Sequence, residues 1–365
     1  MDQHPVNGAL PIGKERVQLE GSYRTKYRGF AVFLICCGLL LAAFAVSAVW
    51  LRGDGGGLDG WGSFLDHENE TEETDSASFG EDGENGGETV GEENTEAPTN
   101  DPIPDGAIPV HTMDLTYPSL GRGYLHNETS HRPNTVALLN MDVSRSAATD
   151  KPLVLILHTH TSESYLPAGT EYLTKAPGDL TYSREASENV LAVGEVLCRV
   201  LNEKGITAIH CTVMHDDPTL SGSYDRSEAT VRKYLETYPS IEYVIDLHRD
   251  AIVTPDGAYI RAAFGEGDNA VAQVMAVIGT DGNGTAHERW ENNLALALQL
   301  REKLNAGGAA ICRPVSLRNA SFHQELAAHS ILLEIGTGGN SIEEAKRAAV
   351  LVGEALADLI LESAG

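Results

Sequence analysis

Short, nearly continuous apolar runs alternate with amphipathic stretches along the second half of the chain. The runs of strand length are 153–157, 206–210, 243–247, 274–278 and 331–335. The intervening stretches with helical periodicity are 188–202, 225–238, 291–305 and 341–362. This alternation predicts an α/β domain with a mostly parallel sheet and helices on both faces. Ser341 followed by Glu344 predicts a capping box at the start of the last helix.

A separate hydrophobic segment near the amino terminus, residues 29–51, contains no charged side chain over 23 positions. At about 1.5 Å per residue such a helix is long enough to cross a bilayer. It is longer than the apolar core of a signal peptide and ends in Trp50 and Leu51, so an uncleaved transmembrane helix is favoured. Five basic residues precede it, which predicts a cytoplasmic tail at 1–28 and an extracytoplasmic remainder, anchored in the cell membrane by a single pass.

Charge is distributed unevenly along the chain. Residues 52–105 carry seventeen acidic side chains against one basic one. We therefore expect a disordered acidic linker over 52–108, followed by one extracytoplasmic domain over 109–365. The net charge of −27 argues against a nucleic-acid partner. The five cysteines show no CxxC spacing, which disfavours a thiolate zinc site.

Candidate chemistry begins directly after the first apolar run, in the segment HTHTSESY at 158–165. Sites in open α/β sheets form beyond the carboxyl ends of the strands. His158, His160 and Glu163 are therefore candidate ligands of a catalytic metal. The alternative is a hydrogen-bonded pair of loop histidines.

Two further apolar runs carry polar residues that suggest the same kind of site. The run YVI is followed by DLHRD at 246–250. His248 and Arg249 in this segment are candidates for metal binding or catalysis. The alternative is a loop held by an Arg–Asp ion pair. Glu334 interrupts the run ILLEIG. A carboxylate there must pair, bind metal, or have a raised pKa suited to a general base, unless it is a buried structural acid.

Together these residues predict zinc held by histidine and glutamate, with a carboxylate that activates water. The sequence contains no GxSxG, P-loop or HExxH motif, and its one GxGxxG match, at 55–60, lies in the acidic segment outside the α/β pattern. Serine-hydrolase, phosphoryl-transfer, dinucleotide-binding and helical zincin interpretations therefore lose support.

The segments that carry these residues resemble one known family, the stage II sporulation protein P family of endospore-forming bacteria. The similarity covers most of 109–365 and is strongest in LILHTHTSESY (155–165), SYDRSEATVRKYLETYPSIEYVIDLHRDAI (223–252) and HSILLEIGTGGNSIEEAKRAA (329–349). Members of this family are membrane-anchored cell-wall hydrolases. The family is in turn similar to the zinc-dependent N-acetylmuramoyl-L-alanine amidases.

The resemblance to those amidases implies roles for the histidines and for one glutamate. DLHRD matches the turn that carries the second histidine ligand of zinc (Zn2+), which implies His248. LLEIG matches the strand of the catalytic glutamate, which implies Glu334 as the general base. The first histidine ligand is His158 or His160, and both remain open.

The carboxylate ligand is less well determined by the resemblance. The amidases use a glutamate that opens the helix after the first strand, which corresponds to Glu188 or Glu185, and Glu163 is the alternative. Arg249 is expected to stabilise the oxyanion or to hold a carboxylate of the stem peptide.

The implied reaction is hydrolysis of the bond between the muramic-acid lactyl group and L-alanine in peptidoglycan. The resemblance also implies endopeptidase action on peptide cross-links, a role in septal wall thinning and engulfment at the septal or forespore membrane, and partnership with stage II sporulation proteins D and M. Two alternatives stay open: a tethered metallopeptidase or deacylase with another substrate, and a catalytically inactive cell-wall-binding scaffold.

Overall fold

A mostly parallel sheet lies at the centre of the computed structural model, which describes residues 104, 106–116, 124–144, 150–174 and 181–361. All of these belong to one compact unit, Asn100–Gly365. The strands are β1 Ile108–Met113, β2 Leu125–Asn127, β3 Val154–Leu157, β4 Tyr172–Leu173, β5 Ala208–His210, β6 Tyr243–Asp250, β7 Tyr259–Phe264, β8 Val271–Ala272, β9 Val274–Gly279, β10 Val315–Arg318 and β11 His329–Thr337. The helices are α1 Thr135–Leu139, α2 Val190–Glu203, α3 Ser223–Thr237, α4 Trp290–Leu304 and α5 Ile342–Leu361.

The large sheet has seven strands in the order β2-β10-β9-β11-β6-β3-β5. Neighbouring strands run parallel except β9 and β11, which are antiparallel. Each of the five predicted apolar runs forms a strand of this sheet, and each of the four predicted amphipathic stretches forms a helix. The predicted α/β class is therefore confirmed, with one antiparallel pair in an otherwise parallel sheet.

Alternate residues of the central strands pack against helices on opposite faces of the sheet. In β3, Val154 and Ile156 belong to a core that includes residues of α2, α4 and α5. Leu155 and Leu157 instead pack in a smaller core with Val231 of α3. Helices thus cover both faces, because side chains along a strand point alternately to either side.

The last helix begins with the predicted capping box. The Glu344 backbone N–H donates to the Ser341 hydroxyl at 3.2 Å, and the Glu344 carboxylate accepts from the Ser341 backbone N–H at 3.0 Å. The reciprocal bonds satisfy two amide donors at the start of α5 that have no partner within the helix.

A second, four-stranded sheet in the order β4-β1-β7-β8 was not predicted. Its strands are short, and β1 (IPVHTM) and β7 (YIRAAF) mix polar with apolar positions. The short edge strand β2 of the large sheet and its neighbour β10 were missed for the same reason. Strands of this kind depend on pairing with their neighbours more than on their own apolar pattern.

The predicted tail (1–28), transmembrane helix (29–51) and nearly all of the acidic linker (52–108) lie outside the described residues. Strand β1 already begins at Ile108, close to the predicted domain boundary at 109. Within the described ranges, no helix combines the length and apolar character needed to span a bilayer.

Candidate functional site

The candidate site lies where β3, β6 and β11 lie side by side in the large sheet. Strand β6 extends to Asp250, so His248 lies inside the strand. Because side chains alternate along a strand, Asp246, His248 and Asp250 share one face of the sheet. Glu334 of β11 lies directly opposite His248 in the parallel register. The fold therefore brings together the second histidine and the carboxylate that the sequence singled out.

His248 is buried between two carboxylates. Its Nδ1 atom lies 3.3 Å from Glu163 Oε2, and its Nε2 atom lies 3.0 Å from Asp246 Oδ1. The contact with Asp246 is a close ionic contact and not an aligned hydrogen bond. Burial alone would lower the pKa of His248, but the two carboxylates outweigh it and hold the pKa well above its usual value.

Asp246 is held by the segment that follows β3. Its Oδ1 atom accepts from the Thr159 backbone N–H at 2.8 Å, and its Oδ2 atom accepts from the Thr159 hydroxyl at 2.7 Å. A histidine that binds a metal usually has its other ring nitrogen oriented by such a carboxylate. With Asp246 at the Nε2 atom of His248, the Nδ1 atom on the Glu163 side is the one that can bind a metal.

His160 and Glu163 come to the same place from the loop after β3. The His160 ring stands edge-on to the His248 ring, with 5.3 Å between centroids. Burial lowers the pKa of His160, which favours the neutral imidazole that binds metals. Glu163 is buried, and besides His248 it accepts from the backbone N–H of Arg249 at 3.1 Å. Although burial opposes it, the charge of His248 keeps the pKa of Glu163 below its usual value.

Glu334 has the opposite electrostatic character. Burial, followed by the negative charge of Asp250, raises the pKa of Glu334 to about 8. Its Oε2 atom is shielded from solvent and accepts no hydrogen bond from the described residues. A carboxyl group with a pKa near neutrality is suited to accepting a proton and returning it.

The Arg249 backbone N–H contacts Glu163, but its guanidinium has its partners outside this cluster, contrary to the expected oxyanion role. Arg249 alternates with His248 and so lies on the other face of β6. Its guanidinium donates to the carbonyl oxygens of Ser164, at 3.1 Å, and Thr181. The arginine therefore fastens the loop that carries Glu163, and its donors are taken up by the protein itself.

The structure separates His158 from His160 because β3 ends at Leu157 and His160 lies in the turn that follows. His158 is directed to the α2 face of the sheet, where its Nε2 atom lies 2.8 Å from His210 Nε2 and within reach of Gly194. Its Nδ1 atom lies 2.8 Å from the Leu247 carbonyl oxygen. Both ring nitrogens of His158 are thus engaged with protein atoms, and of the two candidates the structure brings His160 to His248.

The His158–His210 pair should make the stability of the domain depend on pH. Burial lowers the pKa of His158 to about 3 and that of His210 to about 4, whereas both should be near 6.5 when unfolded. At a pH between the folded and the unfolded pKa values, the unfolded chain binds protons that the folded protein does not. The free energy of unfolding is therefore highest above pH 6.5 and decreases as the pH falls toward 4.

We expect His210→Gln, which removes one titrating group, to reduce this acid-side loss by about 1–3 kcal/mol. Thermal unfolding of both proteins from pH 7.5 to 4.5 measures it. His126→Gln, at an exposed histidine, is the control. Parallel profiles for wild type and His210→Gln would contradict the expectation.

The helix glutamates are not brought to the site. Glu188 and Glu185 are exposed residues ahead of α2, and the Glu188 carboxylate accepts from the Ser183 hydroxyl at 2.8 Å. Glu163 is the carboxylate that meets His248. The structure differs from the prediction here because the segment between β3 and α2 folds back on itself, with Glu163 and Tyr182 in an antiparallel bridge.

Sequence reasoning missed two parts of the site. Tyr224, in the first turn of α3, stands edge-on to His160 with 5.5 Å between ring centroids. Phe322 and His323 both have positive φ angles, of 51° and 43°, a conformation that costs energy outside glycine and often marks functional positions. Neither an aromatic in an amphipathic helix nor a strained loop carries a recognisable signal in one sequence.

The side chains at this site match the zinc that the sequence implies in type but not in spacing. Among the residues that the structure describes, no three His, Cys, Asp or Glu side chains are already gathered closely enough to hold a metal ion. The donor types do match: two neighbouring imidazoles, His160 and His248, and the Glu163 carboxylate beside one of them. Histidine with glutamate is a common ligand combination of catalytic zinc.

Comparison with known proteins identifies a family. The family model of stage II sporulation protein P matches residues 64–357 of this chain. Stage II sporulation protein P of Bacillus subtilis (strain 168) is 29% identical over 220 residues, an alignment that covers 57% of this chain and 51% of the relative. The chain thus matches about half the length of this curated relative.

Among solved structures, the similar ones include bacterial amidases. The catalytic domain of CwlV, an N-acetylmuramoyl-L-alanine amidase from Bacillus (Paenibacillus) polymyxa var. colistinus, is 15% identical with a TM-score of 0.33 and covers 57% of this chain and 95% of its own. The N-acetylmuramoyl-L-alanine amidase from Clostridium difficile 630 is 16% identical with a TM-score of 0.35 and covers 58% and 95%. At these values the likeness supports no inference about activity.

Proposed function

The chain belongs to the stage II sporulation protein P family, and from this premise we propose that it is a zinc-dependent peptidoglycan hydrolase. The reaction is that of an N-acetylmuramoyl-L-alanine amidase, in which water cleaves the amide between the muramic-acid lactyl group and L-alanine of the stem peptide. The observation that carries the proposal is the register of β6 and β11, which puts Glu334 opposite His248. His160 and Glu163 lie beside His248 at the same place.

The proposed ligands are His160, His248 and Glu163, with Asp246 orienting the His248 ring. When bound, zinc supplies Lewis-acid activation of the amide and of water. Glu334 accepts the proton of the attacking water and delivers it to the nitrogen of the departing L-alanine. The raised pKa of Glu334 supports this role, since the same carboxyl group must gain and lose a proton in each turnover.

Three further properties are proposed on the family resemblance alone. They are endopeptidase action on peptide cross-links, partnership with stage II sporulation proteins D and M, and anchorage in the septal or forespore membrane through 29–51. The acidic segment 52–105 would act as the tether between anchor and hydrolase, because its charges repel one another and extend the chain.

Digestion of purified peptidoglycan by the full-length protein tests the proposal. We expect zinc-loaded protein to release stem peptides with a new amino group on L-alanine, chelation to stop the release and added zinc to restore it. Cleavage confined to cross-links would favour an endopeptidase, and cleavage only of other peptides a metallopeptidase with another substrate. No hydrolysis by protein shown to contain zinc would favour an inactive scaffold.

A further inference from the structure

Amide hydrolysis needs a donor for the negative charge that develops on the carbonyl oxygen. Preorganised donors at that position contribute a large share of catalysis in acyl-transfer enzymes. Arg249, the residue expected in this role from the sequence, has its guanidinium occupied by backbone carbonyl oxygens on the opposite face of β6. A protein donor that acts beside the proposed metal would therefore lie on the face that carries His248 and Glu334.

Tyr224 lies beside the proposed ligands on this face. It lies in the first turn of α3, with its ring edge-on to His160 at 5.5 Å and an interplanar angle of 89°. Burial, followed by the negative charges of Asp246, Glu334 and Glu163, raises the pKa of its phenol well above the usual value. The side chain is partly exposed, and within the described ranges its hydroxyl has no protein hydrogen-bond partner.

The position of the Tyr224 ring is defined by its surroundings. The His323 ring lies 5.3 Å away between centroids, and the Phe322 ring lies 6.1 Å away. Both residues belong to the loop with positive φ angles. His323 also lies 3.7 Å from Asp246, which ties this loop to the carboxylate behind His248. The loop of Phe322 and His323 thus positions the Tyr224 ring, and the Tyr224 hydroxyl stays available to a ligand.

We propose that Tyr224 is a catalytic residue whose hydroxyl donates a hydrogen bond to the oxyanion formed from the scissile amide carbonyl. The proposal rests on the proposed function, because it concerns the same reaction at the same site. A phenol is neutral at physiological pH and can donate as well as accept. Its proton remains on the tyrosine, so Tyr224 stabilises charge while Glu334 transfers the proton.

Tyr224→Phe in the full-length protein removes only the hydroxyl and keeps the ring. Since loss of one oxyanion donor costs about 10²–10³ in kcat, we expect kcat on a soluble muropeptide to fall at least about a hundredfold with KM nearly unchanged. Zinc content and melting temperature should equal those of wild type. Tyr238→Phe, just beyond the other end of α3, is the matched control and should keep normal kinetics.

Calorimetry with a phosphinate analogue of the scissile amide provides a readout without turnover. Its anionic tetrahedral centre should bind Tyr224→Phe about a hundredfold more weakly than wild type. The released stem peptide, which has no such centre, should bind both proteins equally. Normal kcat in Tyr224→Phe, or loss of its zinc or folding, overturns the role of Tyr224 alone. A wild type that neither cleaves peptidoglycan nor binds the phosphinate overturns the proposed function and this role with it.

Discussion

His248→Ala is expected to lose bound zinc and to hydrolyse peptidoglycan at least about a thousandfold more slowly than wild type. A bound metal supplies several kcal/mol of transition-state stabilisation, and a thousandfold corresponds to about 4 kcal/mol. The side chain lies between Asp246 and Glu163, at 3.0 and 3.3 Å. His248→Ala removes one of the proposed zinc ligands. Zinc content by elemental analysis and stem-peptide release measure the effect.

The control for this variant is His126→Ala, which removes an exposed histidine of β2 far along the sheet from β6. It should keep both zinc and activity. Circular dichroism establishes that His248→Ala remains folded, so that loss of zinc reflects loss of a ligand. Full zinc occupancy with normal activity in folded His248→Ala would remove this residue from the site.

Much of the site could be predicted because it depends on local patterns. The run YVIDLHRD predicts a strand, and its alternation already puts Asp246 and His248 on one face and Arg249 on the other. Applied consistently, that alternation would have argued against Arg249 as a catalytic group. The same count places His158 on the face of Val154 and Ile156, away from His248. It does not place His160, which lies in the turn after β3.

The remaining features depend on contacts between segments distant in sequence. The pairing of Glu334 with His248 depends on which strands become neighbours and in what register. The approach of Tyr224 to His160 depends on how α3 packs on the sheet. Glu163, and neither helix glutamate, lies beside His248 because the loop after β3 folds back to Arg249. No spacing rule in a single sequence specifies such tertiary contacts.

Glu334→Gln is expected to separate proton transfer from metal binding. Glutamine keeps the shape of the side chain but cannot accept the proton of the attacking water, and general base catalysis contributes typically about 10²–10⁴-fold. The variant should therefore retain zinc and bind peptidoglycan, yet turn over at least about a hundredfold more slowly. Glu236→Gln, at an exposed carboxylate of α3, is the matched control and should behave as wild type.

A stability measurement on the zinc-free protein adds an independent test of the environment of Glu334. Its pKa is raised to about 8 in the folded protein, so ionisation above the unfolded value of about 4.5 disfavours folding increasingly up to that pH. Glu334→Gln removes this penalty, and its melting temperature should exceed that of wild type by more at pH 8 than at pH 5. Loss of zinc from the variant would make Glu334 a ligand instead. Near-normal turnover would place the general base elsewhere, with Glu163 the next carboxylate to test.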